Sequence, residues 1–149
     1  MTPYDAIRAQ MASAVPFATH AGVELTEIGD GHAAARLVQS GTSVNHIGSQ
    51  HAGALFTLGE AASGGAMAGA FAPVLLTVRP VAARAEIAYL RIARGTITAE
   101  AETTEAGETL RAALEAEGRA RFAVDVTLRA ESEETVATMR VAWHVSRPR

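Results

Sequence analysis

The chain has 149 residues, 48% of them hydrophobic and 19% charged, which is the composition of one globular domain large enough to carry a core without staples. It contains no cysteine, which excludes disulfides and thiolate zinc sites and is compatible with a reducing cytoplasm, the compartment expected. Net charge is −3, and all 13 basic residues are arginines scattered along the chain, so no cationic run points to nucleic acid or to a membrane surface.

In chain order, the N-terminus lacks the basic and apolar regions of a signal peptide. Thr2-Pro3-x-Asp5 has the marks of a helix start: a hydroxyl cap, proline at the first helical position and a carboxylate in the first turn. Ile7, Met11 and Ala14 keep helical spacing, and Pro16 is expected to end the helix. A short strand is expected over His32–Val38, followed by a polar loop over Gln39–Gln50. The segment from His51 to about Ala72 reads as a helix of small residues. Its many glycines imply close contact with a neighbouring backbone, since each costs a helix about 1 kcal/mol relative to alanine. Between Ala52 and Val78, Glu60 is the only ionisable side chain, but Ala, Gly, Ser and Thr dominate and Pro73 interrupts, which argues against a membrane span.

After Pro73 the period changes to two. Leu75–Arg91 reads as one long, bent strand. Ile97–Glu102, Phe122–Arg129 and Ala137–Val145 alternate apolar with polar or small residues, and Thr109–Ala116 reads as a short helix ending at Gly118. Successive strands without long intervening helices favour an antiparallel sheet, here with one long helix laid on it: a single two-layer α+β domain over residues 1–149.

The chemistry concentrates between Asn45 and Glu60. A flexible loop, Asn45-His46-Ile47-Gly48-Ser49-Gln50, leads into the start of the apolar helix, where free backbone N–H groups can hold an oxygen that gains negative charge. Two turns on stands Glu60, a lone carboxylate whose burial would raise its pKa toward the working range of a general base. The plainer alternatives are a solvent-facing Glu60 and a simple turn role for Asn45. Ser63, three residues after Glu60, is placed to bond that carboxylate or a water, or merely to pack. His46, His51 and Glu60 are too few and too irregularly spaced to compose a metal site, and no cofactor is expected. G-x-S-x-G, G-x-x-x-x-G-K and G-x-G-x-x-G motifs are absent.

Asn45…Gly48…His51-Ala52-Gly53-Ala54-Leu55-Phe56…Glu60 resembles the motif of hotdog-fold acyl-CoA thioesterases of the phenylacetyl-CoA and 4-hydroxybenzoyl-CoA type. In that motif an Asn or Gln, a glycine-bearing loop and His-Gly-Gly precede an acidic residue nine positions after the histidine. The run Ala88–Gly95 is similar to the family's strand after the helix. The resemblance implies an antiparallel sheet wrapped around one central helix and hydrolysis of an acyl-CoA thioester. Glu60 is implied as general base or nucleophile, Asn45 as the amide orienting water or carbonyl, and the Ala52 N–H as oxyanion donor. Ala52 departs from the family's first glycine, a change that keeps the donor if its φ is negative. His51 and Ser63 complete the catalytic candidates, with Gly48 and Gly53 as substrate-binding positions.

Eight residues separate Ala52 from Glu60, about 12 Å along a helix axis and about 80° around it. One carbonyl cannot reach both on one helix, so a site shared between two chains of a homodimer is predicted, and the resemblance implies the same arrangement, often with dimers paired into a dimer of dimers. The competing readings are a non-catalytic acyl-CoA-binding or regulatory domain, and a hydratase or dehydratase of the same fold.

Overall fold

In the computed structural model, which describes residues 1–148, helix α1 spans Pro3–Ala14. A reciprocal capping box starts it: the Thr2 hydroxyl accepts the Asp5 N–H at 3.1 Å, and the Asp5 carboxylate accepts the Thr2 N–H at 2.9 Å. Pro16 does more than end this helix. It opens a second, one-turn helix α2 (Pro16–His20), because a residue without N–H loses nothing at a first helical position.

Six strands follow: β1 (Val23–Gly29), β2 (His32–Leu37), β3 (Arg79–Tyr89), β4 (Ile97–Thr103), β5 (Arg119–Arg129) and β6 (Thr135–Ser146). They form one antiparallel sheet in the order β1-β2-β4-β5-β6-β3. β1 is an addition to the sequence reading. Its alternation, Val23-Glu24-Leu25, is broken by a bulge between Leu25 and Glu27, which shifts Ile28 into the buried phase. Leu75–Arg91 is not one bent strand: a 3₁₀ turn over Ala72–Thr77 precedes β3, and the strand stops at Tyr89.

The 19-residue helix α3 (Ala52–Ala70) lies on the sheet and supplies the centre of the core with Leu58, Ala62 and Ala66, none of which is exposed. Its glycines are what let it seat so low. A Cβ on Gly69 would run into the Gly29 carbonyl oxygen, and one on Gly65 would come within 2.9 Å of the Ala33 methyl. Small residues on one helix face thus set the distance between helix and sheet. Helix α4 (Gly107–Glu117) ends at Gly118, whose φ of +74° is the left-handed cap that glycine adopts without penalty. The sheet wraps one central helix, and the fold is the hotdog fold.

Candidate active site

The loop before α3 is held from inside. Asn45 Oδ1 accepts the N–H groups of Ile47 and Ser49, each at 3.1 Å, and its Nδ2 donates to the Ser49 hydroxyl at 2.9 Å. Two main-chain donors on one oxygen fix which way the amide points. Asn45 therefore organises a tight turn, and Gly48 sits in that turn at φ +76° with open space around its Cα. Gln50, buried and passed over in the sequence, ties the loop to the sheet through bonds from its amide to the Leu37 and Gly95 carbonyls, at 3.3 and 2.9 Å. A polar residue just before an apolar helix gives no sign of this role, since its partners lie 13 and 45 residues away.

His51 is the N-cap of α3, and its Nδ1 accepts the Gly53 N–H at 2.8 Å. The Ala52 N–H, at the first helical position and exposed, has no acceptor among the described residues. Outside glycine, only Glu133 has a positive φ among those residues, so alanine fits at 52 without strain. The Tyr89 hydroxyl, at the end of β3, donates to the Ala52 carbonyl at 3.0 Å and holds the last residue of the strand against the first turn of the helix.

Glu60 is half-buried, and burial raises its carboxyl above the usual range. Among the described residues no cation lies within 4.0 Å of its carboxylate and no side chain or N–H donates to it. Ser63 does not serve that carboxylate. Its hydroxyl donates to the Glu60 carbonyl at 2.7 Å and accepts the Trp143 indole N–H at 3.2 Å, fully buried, so it joins helix to sheet.

Ala52 and Glu60 open onto different concavities. Ala52, Asn45 and Tyr89 border a shallow groove beside the loop Leu90–Ala93. Glu60 stands on the wall of a separate cavity of about 560 Å³ between α1, α2 and α3, lined by Met11, Leu25, Gly64, Met67 and Trp143 among others. Ala66, Gly69 and Ala70 do not line it. They are buried in the core, and the cavity-facing small residues of α3 are Ala61, Gly64 and Ala68. Only five positions of α3 are less than fully buried, Ala52, Gly53, Ala54, Phe56 and Glu60, all in its first half. Among the described residues no three His, Asp or Glu side chains converge as metal ligands, and no helix is long and apolar enough to cross a membrane.

The antiparallel sheet around one long central helix is the architecture of the hotdog-fold thioesterases that the Asn45–Glu60 motif resembles. The chain belongs to the family described as a domain of unknown function (DUF4442), which it matches over residues 5–145. No curated protein matches it significantly. Among solved structures it is similar to PA5026 of Pseudomonas aeruginosa, named as a protein of unknown function and probable thioesterase, at 25% identity and a TM-score of 0.81 over 99% of this chain and 97% of that one. The Escherichia coli PaaI protein from the phenylacetic acid degradation operon is similar at 21% identity and a TM-score of 0.70, over 98% of this chain and 94% of that one. A thioesterase of Haemophilus influenzae, HI1161, is similar at 19% identity and a TM-score of 0.70, over 93% and 87%.

Proposed function

We propose that the chain is a thioesterase that hydrolyses acyl-CoA thioesters at sites shared between two copies of itself. The observation that carries this reading is the unpartnered Glu60 carboxylate on the wall of an apolar cavity, its pKa raised by burial. The free Ala52 N–H at the start of the same helix supplies the second element, and the reading of the chain as a thioesterase is supported by the thioesterase names of structures that share its fold.

The thioester carbonyl accepts the Ala52 N–H of one chain, and Glu60 of the other lies beside the carbonyl carbon. As general base, Glu60 takes a proton from water while the water oxygen bonds to that carbon. The tetrahedral oxyanion is stabilised by the N–H and the helix end. Collapse breaks the C–S bond, the thiolate recovers the proton, and a carboxylic acid is released. Direct attack by Glu60 passes through a mixed anhydride that water then cleaves, with the same overall balance. Two features favour a second copy: the exposed start of α3 and the 11-residue β3, which forms the sheet's edge with most of its residues exposed.

The test is a thiol-release screen across short, medium, long and aromatic acyl-CoAs, with Glu60→Gln as control. Release that the control loses is the expected result. No release from any substrate, or release unaffected by Glu60→Gln, overturns the proposal.

A further inference from the structure

We infer that the cavity beside Glu60 is the acyl pocket of the chain that supplies the carboxylate. The acyl group it takes is an unbranched hydrocarbon chain of medium length, gauged by the α3 stripe Ala61-Gly64-Ala68. This rests on the thioesterase reading and goes beyond it, since nothing in that reading selects an acyl group.

The lining decides the chemistry. Most of it is hydrocarbon, and two of its members, Met11 and Met67, are flexible thioethers that fill irregular apolar space. Its polar groups are largely occupied already. The Glu24 carboxylate is paired with Arg36 at 2.9 Å, and the Thr19 hydroxyl donates to the Ala12 carbonyl at 2.6 Å. Apart from Glu60, the reacting group, the lining offers a polar or charged acyl group only the Arg8 guanidinium as an unpaired side-chain partner, while methylene groups lose only water. The volume, about 560 Å³, is within the range of pockets that enclose a small molecule.

The helix sets the length. Glu60, Ala61, Gly64, Met67 and Ala68 all face the cavity, so it follows α3 from the level of Glu60 to that of Ala68. Eight residues of helix rise about 12 Å, which a zigzag hydrocarbon with bonds of about 1.5 Å covers in roughly ten carbons. Gly64 lies midway. A Cβ there would stand 3.7 Å from the Trp143 ring and 3.8 Å from the Met11 methyl, so a larger side chain projects into the cavity between them.

Trp143 is the chain's only tryptophan and lines the cavity, so its emission reports occupancy without turnover. Glu60→Gln enzyme is titrated with decanoyl-CoA, butyryl-CoA and free CoA while Trp143 fluorescence is followed. Separately, kcat and KM of the Glu60 enzyme are measured across acyl lengths and for an ω-carboxyl acyl-CoA. Decanoyl-CoA is expected to change the emission saturably and free CoA not to. Gly64→Leu should lower the preference for decanoyl over butyryl by about tenfold or more, chiefly through KM. If Gly64→Leu does not fold, Met11→Phe on the opposite wall makes the same test. Silent Trp143 fluorescence with active, length-indifferent or ω-carboxyl-preferring enzyme overturns the inference and leaves the thioesterase reading standing. A Trp143 response to decanoyl-CoA without hydrolysis by the Glu60 enzyme overturns the hydrolytic reading and supports the pocket.

Discussion

The imidazole of His51 accepts the amide proton of Gly53 at 2.8 Å, and this leaves the neighbouring Ala52 N–H as the free donor at the start of α3. Capping by a side chain normally serves only the helix. Here it also selects which amide remains available to a ligand.

That selection makes Ala52→Pro a clean test. Proline is favoured at a first helical position, and His51 already has the extended backbone, φ −66° and ψ 141°, that a residue before proline requires. The variant should therefore fold with its helix intact and lose about 10²–10³-fold in kcat, the usual effect of removing an oxyanion donor, while Ala52→Gly stays active. Circular dichroism and steady-state kinetics decide it. Near-normal turnover in folded Ala52→Pro would remove the donor role.

Glu60→Gln should lower turnover by about 10²–10⁴-fold without lowering stability at neutral pH. The sign follows from the raised pKa. Folded Glu60 holds its proton more tightly than the unfolded chain does, so its ionisation costs stability as pH rises from the ordinary glutamate range through the raised value. Glutamine removes that cost at neutral pH and changes nothing in acid, where both states are protonated. In the wild type, kcat/KM should fall with decreasing pH along a limb centred above the ordinary glutamate pKa. Melting curves and pH–rate profiles check both statements.

Co-refolding Ala52→Pro with Glu60→Gln tests the shared site. With random pairing half the dimers are mixed, and each has one intact and one doubly altered site, so roughly a quarter of wild-type activity should return. A site built within one chain would return none, provided mass spectrometry confirms the mixed dimers.

Ser63→Ala should cost stability, not chemistry. It removes the acceptor of the Trp143 indole N–H, and an unpaired buried donor costs about 1–3 kcal/mol. Urea denaturation should record that loss while kcat falls far less than in Glu60→Gln. A selective collapse of kcat would return Ser63 to the catalytic set.

Gly69→Ala and Gly64→Ala should diverge in stability although both place a methyl on α3. At Gly69 the methyl meets the Gly29 carbonyl oxygen, which is main chain and cannot rotate away, and overpacking of that kind costs about 1–3 kcal/mol. At Gly64 it meets only ordinary contacts with Trp143 and Met11, and the gain in helix propensity is about 1 kcal/mol. Equal melting temperatures for the two variants would contradict the seating of α3 described above.

The periodicity of Phe122–Arg129 and Ala137–Val145 and the run of small residues around Glu60 were enough, by themselves, to define an antiparallel sheet with one long helix laid on it and a lone carboxylate on that helix; that the sheet wraps the helix came from the resemblance carried by the motif from Asn45 to Glu60. These are local signals: strand alternation, helix starts and isolated charge are written within a dozen residues. β1 escaped because a bulge breaks its alternation, and the bulge exists only through pairing with β2. Asn45, Ser63 and Gln50 acquired their roles from partners the sequence does not place beside them: the turn's own amides, Trp143 80 residues away, and the carbonyls of Leu37 and Gly95. The two faces of α3 divide for the same reason. Gly65 and Gly69 look like Gly64 in composition, yet they meet the sheet while Gly64 borders the cavity. Glycine carries no side chain to favour either direction, so the packing of α1, β1 and β6 around the helix decides which small residues bring backbones together and which leave space for a ligand.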